Sequence, residues 1–270
     1  MNKKNSDTEW EKWGEKDPYF GVITIEKFRN RNLSKESKME FFNSGREHVR
    51  NVIEVSRRFL DSGFSPKKVL DFGCGVGRLV IPFCEIAEQV VGLDVSESML
   101  KEALNNCNEY SVQNVRLIKS DDKLSSLKGS YDLIHSFIVF QHIPVERGMH
   151  ILTNLLSHLE DGGICAIQFI YSSPHSQWLS HTPIGKQVKL FKKIKRQVKR
   201  LMKIVRDLFE TRESLNLSDK DPEIQMNLYN LDEILLLIQS LGTTNLHVEF
   251  TDNSGVLGVY LYFQKPRKVI

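Results

Sequence analysis

The chain is predicted to fold as a doubly wound α/β domain, and three observations carry that prediction. Short apolar runs alternate with helical patterns from Ser65 onward, as strands and crossover helices must in a mostly parallel sheet. A glycine-rich turn holding Gly73, Gly75 and Gly77 separates the first apolar run from Leu79, Val80, Ile81 and Phe83, which recur on a helical spacing. An acidic residue, Asp94, closes the next apolar run. With 270 residues and 40% hydrophobic content, the chain can bury one full core, so one domain with additions is expected.

Strands are expected at 68–72, 89–94, 115–119, 131–136 and 163–171. Helices fall between them. Ser96 is the expected N-cap of the helix that ends at Glu109, and a further helix spans 145–159, between Pro144 and an expected Asp161-Gly-Gly turn. Residues 231–241 read as a late helix, with 246–250 and 258–264 as a closing antiparallel pair. Ahead of the core, residues 1–64 bring Trp10, Trp13, Tyr19 and Phe20, an expected turn at Phe41–Gly45, and a helical pattern through Val49, Val52, Ile53 and Phe59.

Glycines at a strand-to-helix turn remove the Cβ atoms that would hold a ligand off the backbone. Dinucleotide enzymes place a pyrophosphate at such a turn with the spacing G-x-G-x-x-G. Here the spacing is G-x-G-x-G, and Asp71 stands two positions before the first glycine, where a carboxylate serves a cationic cofactor better than a pyrophosphate. The run Val69-Leu-Asp-Phe-Gly-Cys-Gly-Val-Gly77 therefore resembles the first motif of the class I S-adenosylmethionine-dependent methyltransferases, and the resemblance extends in order from Lys68 to Tyr171. It implies a Rossmann-like, mostly parallel seven-stranded sheet with an antiparallel edge strand.

The resemblance also implies roles for individual residues. Asp71, Gly73, Cys74 and Gly75 would line the methionine part of S-adenosylmethionine, and Asp94 would accept from the two ribose hydroxyls. Val95 and Met99 would pack on the adenine, with Asp121, or Asp122 beside it, at the adenine amino group. The segment after the fourth strand resembles the fourth motif of small-molecule methyltransferases, in which Ser136, Phe137 and Gln141 approach the methionine end. Neither the Asn/Asp-Pro-Pro-Tyr tetrapeptide nor the Pro-Cys pair of nucleobase methyltransferases is present there.

Methyl transfer from a sulfonium is an in-line displacement, so the protein must hold the acceptor atom and take up its proton. His142 is the candidate general base, since an imidazole with a pKa near 6.5 can accept a proton as the methyl arrives. His135 alternates onto a strand face and reads as structural, while His175 and His181 sit in a later insertion. No cluster has metal-ligand spacing, so no metal is expected.

That insertion, 172–227, is the main departure from the core. Its stretch 186–212 holds eleven Lys or Arg against two acids, and Leu190, Ile194, Val198, Leu201, Val205 and Leu208 recur at three and four. A basic amphipathic helix of this kind serves either as a lid on the domain or as a docking face for a membrane surface or another anionic partner. Aromatic side chains for base stacking are nearly absent within it, and no stable nucleic-acid complex is expected. Cys74, Cys84, Cys107 and Cys165 lack paired spacing, and the N-terminus has no apolar run behind its lysines, so a cytoplasmic protein with reduced thiols is expected, peripheral to a membrane face if the basic helix docks there.

The resulting expectation is S-adenosylmethionine-dependent O-methylation of a small-molecule or glycan acceptor. The rivals are an RNA or protein methyltransferase docking through the basic insertion, and a non-catalytic cofactor-binding protein. A dehydrogenase comes third, disfavoured by Asp71 in the glycine turn.

Overall fold

The structure is a computed structural model that describes residues 5–172, 221–253 and 255–267. The basic stretch 186–212, His175 and His181 lie outside the described residues, as does the 172–227 insertion apart from Ser172 and residues 221–227.

An N-terminal helical layer precedes the sheet. It comprises α1 (Ser6–Lys16), α2 (Pro18–Val22) and the long α3 (Lys35–Phe59). Each start has a local cause: the Asn5 side chain accepts from the Asp7 amide, Pro18 opens α2 with its fixed φ, and Ser34 and Ser37 form a reciprocal capping box on α3. The expected turn at Phe41–Gly45 is instead continuous helix. The capping box starts α3 at Lys35, and Phe41, Phe42, Val49, Val52 and Ile53 then follow one buried stripe. Gly45 sits inside it because α3 approaches the backbone of Arg78 so closely that a Cβ would lie 2.2 Å from that carbonyl oxygen.

The core alternates β1 (Lys68–Phe72), α4 (Val80–Cys84), β2 (Gln89–Asp94), α5 (Glu97–Glu109), β3 (Val115–Lys119), β4 (Tyr131–Ser136), α6 (Val145–Ser157) and β5 (Leu159–Ser172), then α7 (Leu231–Ser240), β6 (Leu246–Asn253) and β7 (Val256–Gln264). The seven strands lie in the order β3-β2-β1-β4-β5-β7-β6, with β1 to β5 parallel and β7 antiparallel to both of its neighbours. This is the Rossmann-like sheet expected from the sequence. Strands buried on both faces explain the unbroken apolar runs: Leu70, Phe72, Val91 and Leu93 pack towards α6 and α7, while Val69, Val90, Leu133 and Ile164 pack towards the N-terminal layer, α4 and α5.

The start of β5 differs from expectation. The Asp161-Gly-Gly segment is strand rather than turn, and β5 begins at Leu159. Gly162 adopts φ +82°, the register against β4 shifts between Tyr131 and Leu133, and the Gly162 amide donates to the Lys265 carbonyl, so the glycine supports an irregularity within the strand.

Strand order reverses between β1 and β4. In a doubly wound sheet the carboxyl ends of the strands at that switch point open a crevice, and here both candidate motifs end there. Because Gly45 locks α3 against the residue that follows the glycine turn, Gly45→Ala should force the two apart. We expect a loss of about 1–3 kcal/mol from overpacking, read as a lowered thermal midpoint by circular dichroism.

Candidate active site

The glycine turn after β1 is laced to the end of β2. The amides of Gly73 and Cys74 both donate to the Leu93 carbonyl, at 2.8 and 2.9 Å, and the Gly75 amide donates to Asp94 Oδ2 at 2.8 Å. Gly73, Gly75 and Gly77 have φ of +75°, +52° and +83°, in the left-handed region that other residues rarely adopt. A Cβ on Gly73 would stand 2.3 Å from the Val139 side chain, so the chain after β4 rests directly on this turn.

Asp94 organises the opposite side of the turn. Its Oδ1 accepts from the Ser96 amide at 2.9 Å, while the Ser96 hydroxyl caps α5 through the Met99 amide at 3.1 Å. Burial pushes the Asp94 carboxyl up to about 6, against the lowering effect of the Ser96 and Gly75 amides. Two accepted amides leave the carboxylate with lone pairs for further donors.

These elements wall a cleft that is partly open to solvent. Of the residues singled out in the sequence, Asp71, Gly73, Cys74, Gly75, Asp94, Val95, Met99, Asp122, Phe137 and His142 line it. Asp121, Ser136 and Gln141 do not. Asp121 turns back to accept from the Ser125 amide at 2.9 Å, and Ser120 lines the cleft beside it. The fully buried Ser136 hydroxyl donates to the Phe72 carbonyl at 3.0 Å, which ties β4 to β1. The Gln141 amide nitrogen lies 3.2 Å from His142 Nε2.

His142 is held from its other side, where Nδ1 lies 2.8 Å from the Gln225 carbonyl. A carbonyl only accepts, so Nδ1 carries the proton and Nε2 presents a lone pair towards the Gln141 amide. The Trp10 ring stands 5.0 Å away, and burial lowers the imidazole pKa to about 4, so the ring is neutral at physiological pH.

The N-terminal layer contributes to the cleft through Ser6, Asp7, Trp10, Gly21 and Val22. Tyr19 is buried against α5, donating to Glu102 at 2.7 Å and Asn106 at 2.8 Å, and Phe20 lies under the Arg29 guanidinium. Phe41 and Phe42 are core. Arg147 on α6 anchors α1 over the cleft by pairing with both Asp7 oxygens, at 2.6 and 2.7 Å, and with Asp122 at 2.7 and 2.8 Å. The Asp122 carboxylate is thus engaged by a guanidinium on the cleft wall.

Two buried polar atoms on that wall have no hydrogen-bond partner among the described residues: Asp71 Oδ2 and Arg78 Nε. Leaving such groups unpaired costs free energy unless a ligand or water meets them. Sequence reasoning missed Arg78, although it directly follows the glycine turn. Asp71 Oδ1 is occupied by His135 Nδ1 at 2.7 Å. Just beyond β4, Ile138 has φ +62°, an unusual conformation for a β-branched residue, and its amide donates to the Gln168 side chain at 3.1 Å. Among the described residues, no group of three or more His, Cys, Asp or Glu side chains is arranged to hold a metal, and no helix is long and apolar enough to cross a membrane.

Comparison with known proteins places this geometry. Residues 69–163 match the family model described as a methyltransferase domain. Over 89 residues the chain is 34% identical to a magnesium-protoporphyrin O-methyltransferase of Synechocystis, covering 33% of this chain and 39% of that protein. Over 111 residues it is 32% identical to a trans-aconitate 2-methyltransferase of Deinococcus radiodurans, covering 40% of each. The matched stretch thus spans about two fifths of the length of these relatives. Among solved structures, magnesium protoporphyrin IX methyltransferase from Synechocystis with bound S-adenosylhomocysteine superposes with a TM-score of 0.58 at 18% identity, over 98% of this chain and all of that one. A S-adenosylmethionine-dependent methyltransferase from Clostridium acetobutylicum gives 0.55 at 14% identity, over 92% and 99%.

Because Arg147 ties α1 to the cleft, Arg147→Met should release α1 while leaving the sheet intact. Hydrogen exchange is expected to show lost amide protection across residues 6–16 with protection of β1 and β4 retained; unchanged exchange in α1 would contradict the anchoring role.

Proposed function

Taking residues 69–163 as a methyltransferase domain on a Rossmann-like sheet, we propose that the protein is an S-adenosylmethionine-dependent methyltransferase acting at an oxygen of a small-molecule or glycan acceptor. The observation that carries this reading is the charge pattern of one cleft wall. Asp71 Oδ2 and Arg78 Nε are each buried and unpartnered among the described residues, and the two residues, of opposite charge, line the cleft. They suit the ammonium and the carboxylate of an amino-acid tail. Asp94 offers acceptor lone pairs for two ribose hydroxyls, and Met99 and Val95 offer apolar surface for a purine. A pyrophosphate would meet Asp71 and Asp94 with like charge, which disfavours a dinucleotide.

When bound, S-adenosylmethionine supplies a methyl group on a sulfonium centre. The remaining work falls to the protein. The layer of Ser6, Asp7, Trp10 and Val22 over the cleft restricts water, and Phe137, Ile138 and Val139 shape the wall where β4 ends. His142 can take the acceptor's proton at Nε2, once the Gln141 amide yields that lone pair. Its low pKa makes it a weak base, but an oxygen that is gaining a methyl group becomes so acidic that a weak, neutral and fixed acceptor suffices. Acceptor chemistry at oxygen is favoured by the relatives named as O-methyltransferases of magnesium-protoporphyrin and of ubiquinone biosynthesis.

The direct test is calorimetric titration with S-adenosylhomocysteine beside NAD, followed by methyl transfer from labelled S-adenosylmethionine to hydroxylated, carboxylated and glycan acceptors. We expect binding of the first ligand alone; binding of NAD alone would overturn the reading. Ribose hydroxyls donate to the ionised Asp94, so affinity should be constant above about pH 6 and fall about tenfold per pH unit below it. Asp94→Asn should weaken binding and flatten that profile. His142→Ala should leave binding of S-adenosylhomocysteine intact and lower turnover; full turnover in that variant would remove His142 from the proton path.

A further inference from the structure

Behind the cleft wall lies a chain of polar side chains drawn from four elements. His135 on β4 contacts Asp71 on β1 through Nδ1, at 2.7 Å from Oδ1. Its Nε2 faces His48 Nε2, on α3, at 3.0 Å, and the Tyr260 hydroxyl on β7 lies 3.3 Å from the same His48 nitrogen. His135 is fully buried and Tyr260 nearly so, with the Phe137 ring 4.1 Å from His48 and the Phe83 ring 5.1 Å from His135.

The contact between two imidazole nitrogens restricts the protons. A hydrogen bond between the facing Nε2 atoms needs one proton, shared by the pair. If it resides on His48, both rings are neutral and His48 donates to His135. If it resides on His135, that ring is an imidazolium beside Asp71, and His48 must then hold a second proton on Nδ1, so the pair carries one proton more than in the first arrangement. Either way His135 Nδ1–H donates to Asp71 Oδ1, while Oδ2, buried and without a hydrogen-bond partner among the described residues, belongs to a residue that lines the cleft.

The buried guanidinium of Arg78 gives this arrangement a purpose. It lines the same cleft, and the attraction between Arg78 and Asp71 works against the burial that lowers the arginine's pKa to about 10. An aspartate free to turn could satisfy itself on Arg78 and close an internal ion pair, which would remove both ligand-binding charges at once. The contact with His135, itself held by His48, occupies one carboxylate oxygen and opposes that collapse.

We propose that His48 and His135 are positioning residues that aim Asp71 Oδ2 at the ammonium of the cofactor's amino-acid end, so that this cleft discriminates ligands bearing that end from ligands lacking it. This rests on the cofactor reading given above. The α3 helix thereby takes part in cofactor recognition through a side chain that does not itself line the cleft.

The test compares S-adenosylhomocysteine with 5′-methylthioadenosine, which keeps the adenosine and the thioether but has no amino-acid end. His48 is the better target because it is only partly buried, so substitution spares the core. In His48→Phe the Kd for S-adenosylhomocysteine should rise about tenfold or more, the scale of one charge-assisted hydrogen bond, while that for 5′-methylthioadenosine stays level. His48→Gln, which restores a donor amide at the Nε2 position, should recover most of the loss. Equal losses for both ligands, or no loss for either, would overturn the positioning role. If the folded wild-type protein binds 5′-methylthioadenosine and S-adenosylhomocysteine equally, Asp71 does not read the amino-acid end and the inference falls while the adenosine site stands. Failure of the folded wild-type protein to bind either would instead overturn the cofactor reading itself.

Discussion

The cleft depends on the joint between the glycine turn and the end of β2. Three successive amides of that turn, those of Gly73, Cys74 and Gly75, are spent on the Leu93 carbonyl and the Asp94 carboxylate. The turn is therefore set by β2 rather than by its own sequence alone. Asp94 also fixes the Ser96 amide, and Ser96 in turn caps α5, so one buried carboxylate sets the turn and the start of the next helix together. Burial makes that carboxylate costly to ionise, and the two amides offset part of the cost. A ligand that brings hydroxyl donors to its remaining lone pairs would offset more.

The helical layer ahead of the sheet is part of the same construction. Gly45 lets α3 reach the backbone of Arg78, and Val22 closes over Gly75 so tightly that a Cβ there would stand 2.7 Å from it. Tyr19 is anchored on Glu102 and Asn106 of α5, and Arg147 secures Asp7 from the far side of the cleft. The N-terminal layer thus covers the carboxyl ends of the strands with its own side chains while drawing its stability from contacts on both sides of the switch point. Residues 221–223 lie against it, through Arg29 with Asp221 and Glu9 with the Glu223 amide, while the Gln225 carbonyl reaches His142 after β4.

Buried polar groups on the two sides of the cleft are handled differently. His142 is neutral, with its tautomer set by a backbone carbonyl, which suits a proton acceptor. Asp71 accepts from His135, behind which stand His48 and Tyr260. In the proposed reaction the first would take up a proton and the second would hold the cofactor's ammonium.

Periodicity and turn chemistry are local properties, and those parts of the protein were legible in the sequence. The strands β1 to β4 begin and end where the apolar runs do, Ser96 is the N-cap of α5, and the glycine spacing with Asp71 and Asp94 located the cleft at the carboxyl ends of β1 and β2. The resemblance to methyltransferases rested on those same local features, and the match over residues 69–163 covers the same stretch. What the sequence left open depends on contacts between residues far apart in the chain. The helical identity of Phe41–Gly45 was hidden because glycine at that position answers a steric demand from Arg78, which no local pattern records. The choice of Asp122 and Ser120 over Asp121 at the cleft wall turns on a hydrogen bond to Ser125 and an ion pair to Arg147. Asp71, His135, His48 and Tyr260 come together only when β1, β4, α3 and β7 pack. Composition supplies the side chains, but the burial that surrounds them, and that shifts the proton affinities of His48 and Tyr260, exists only in the folded chain.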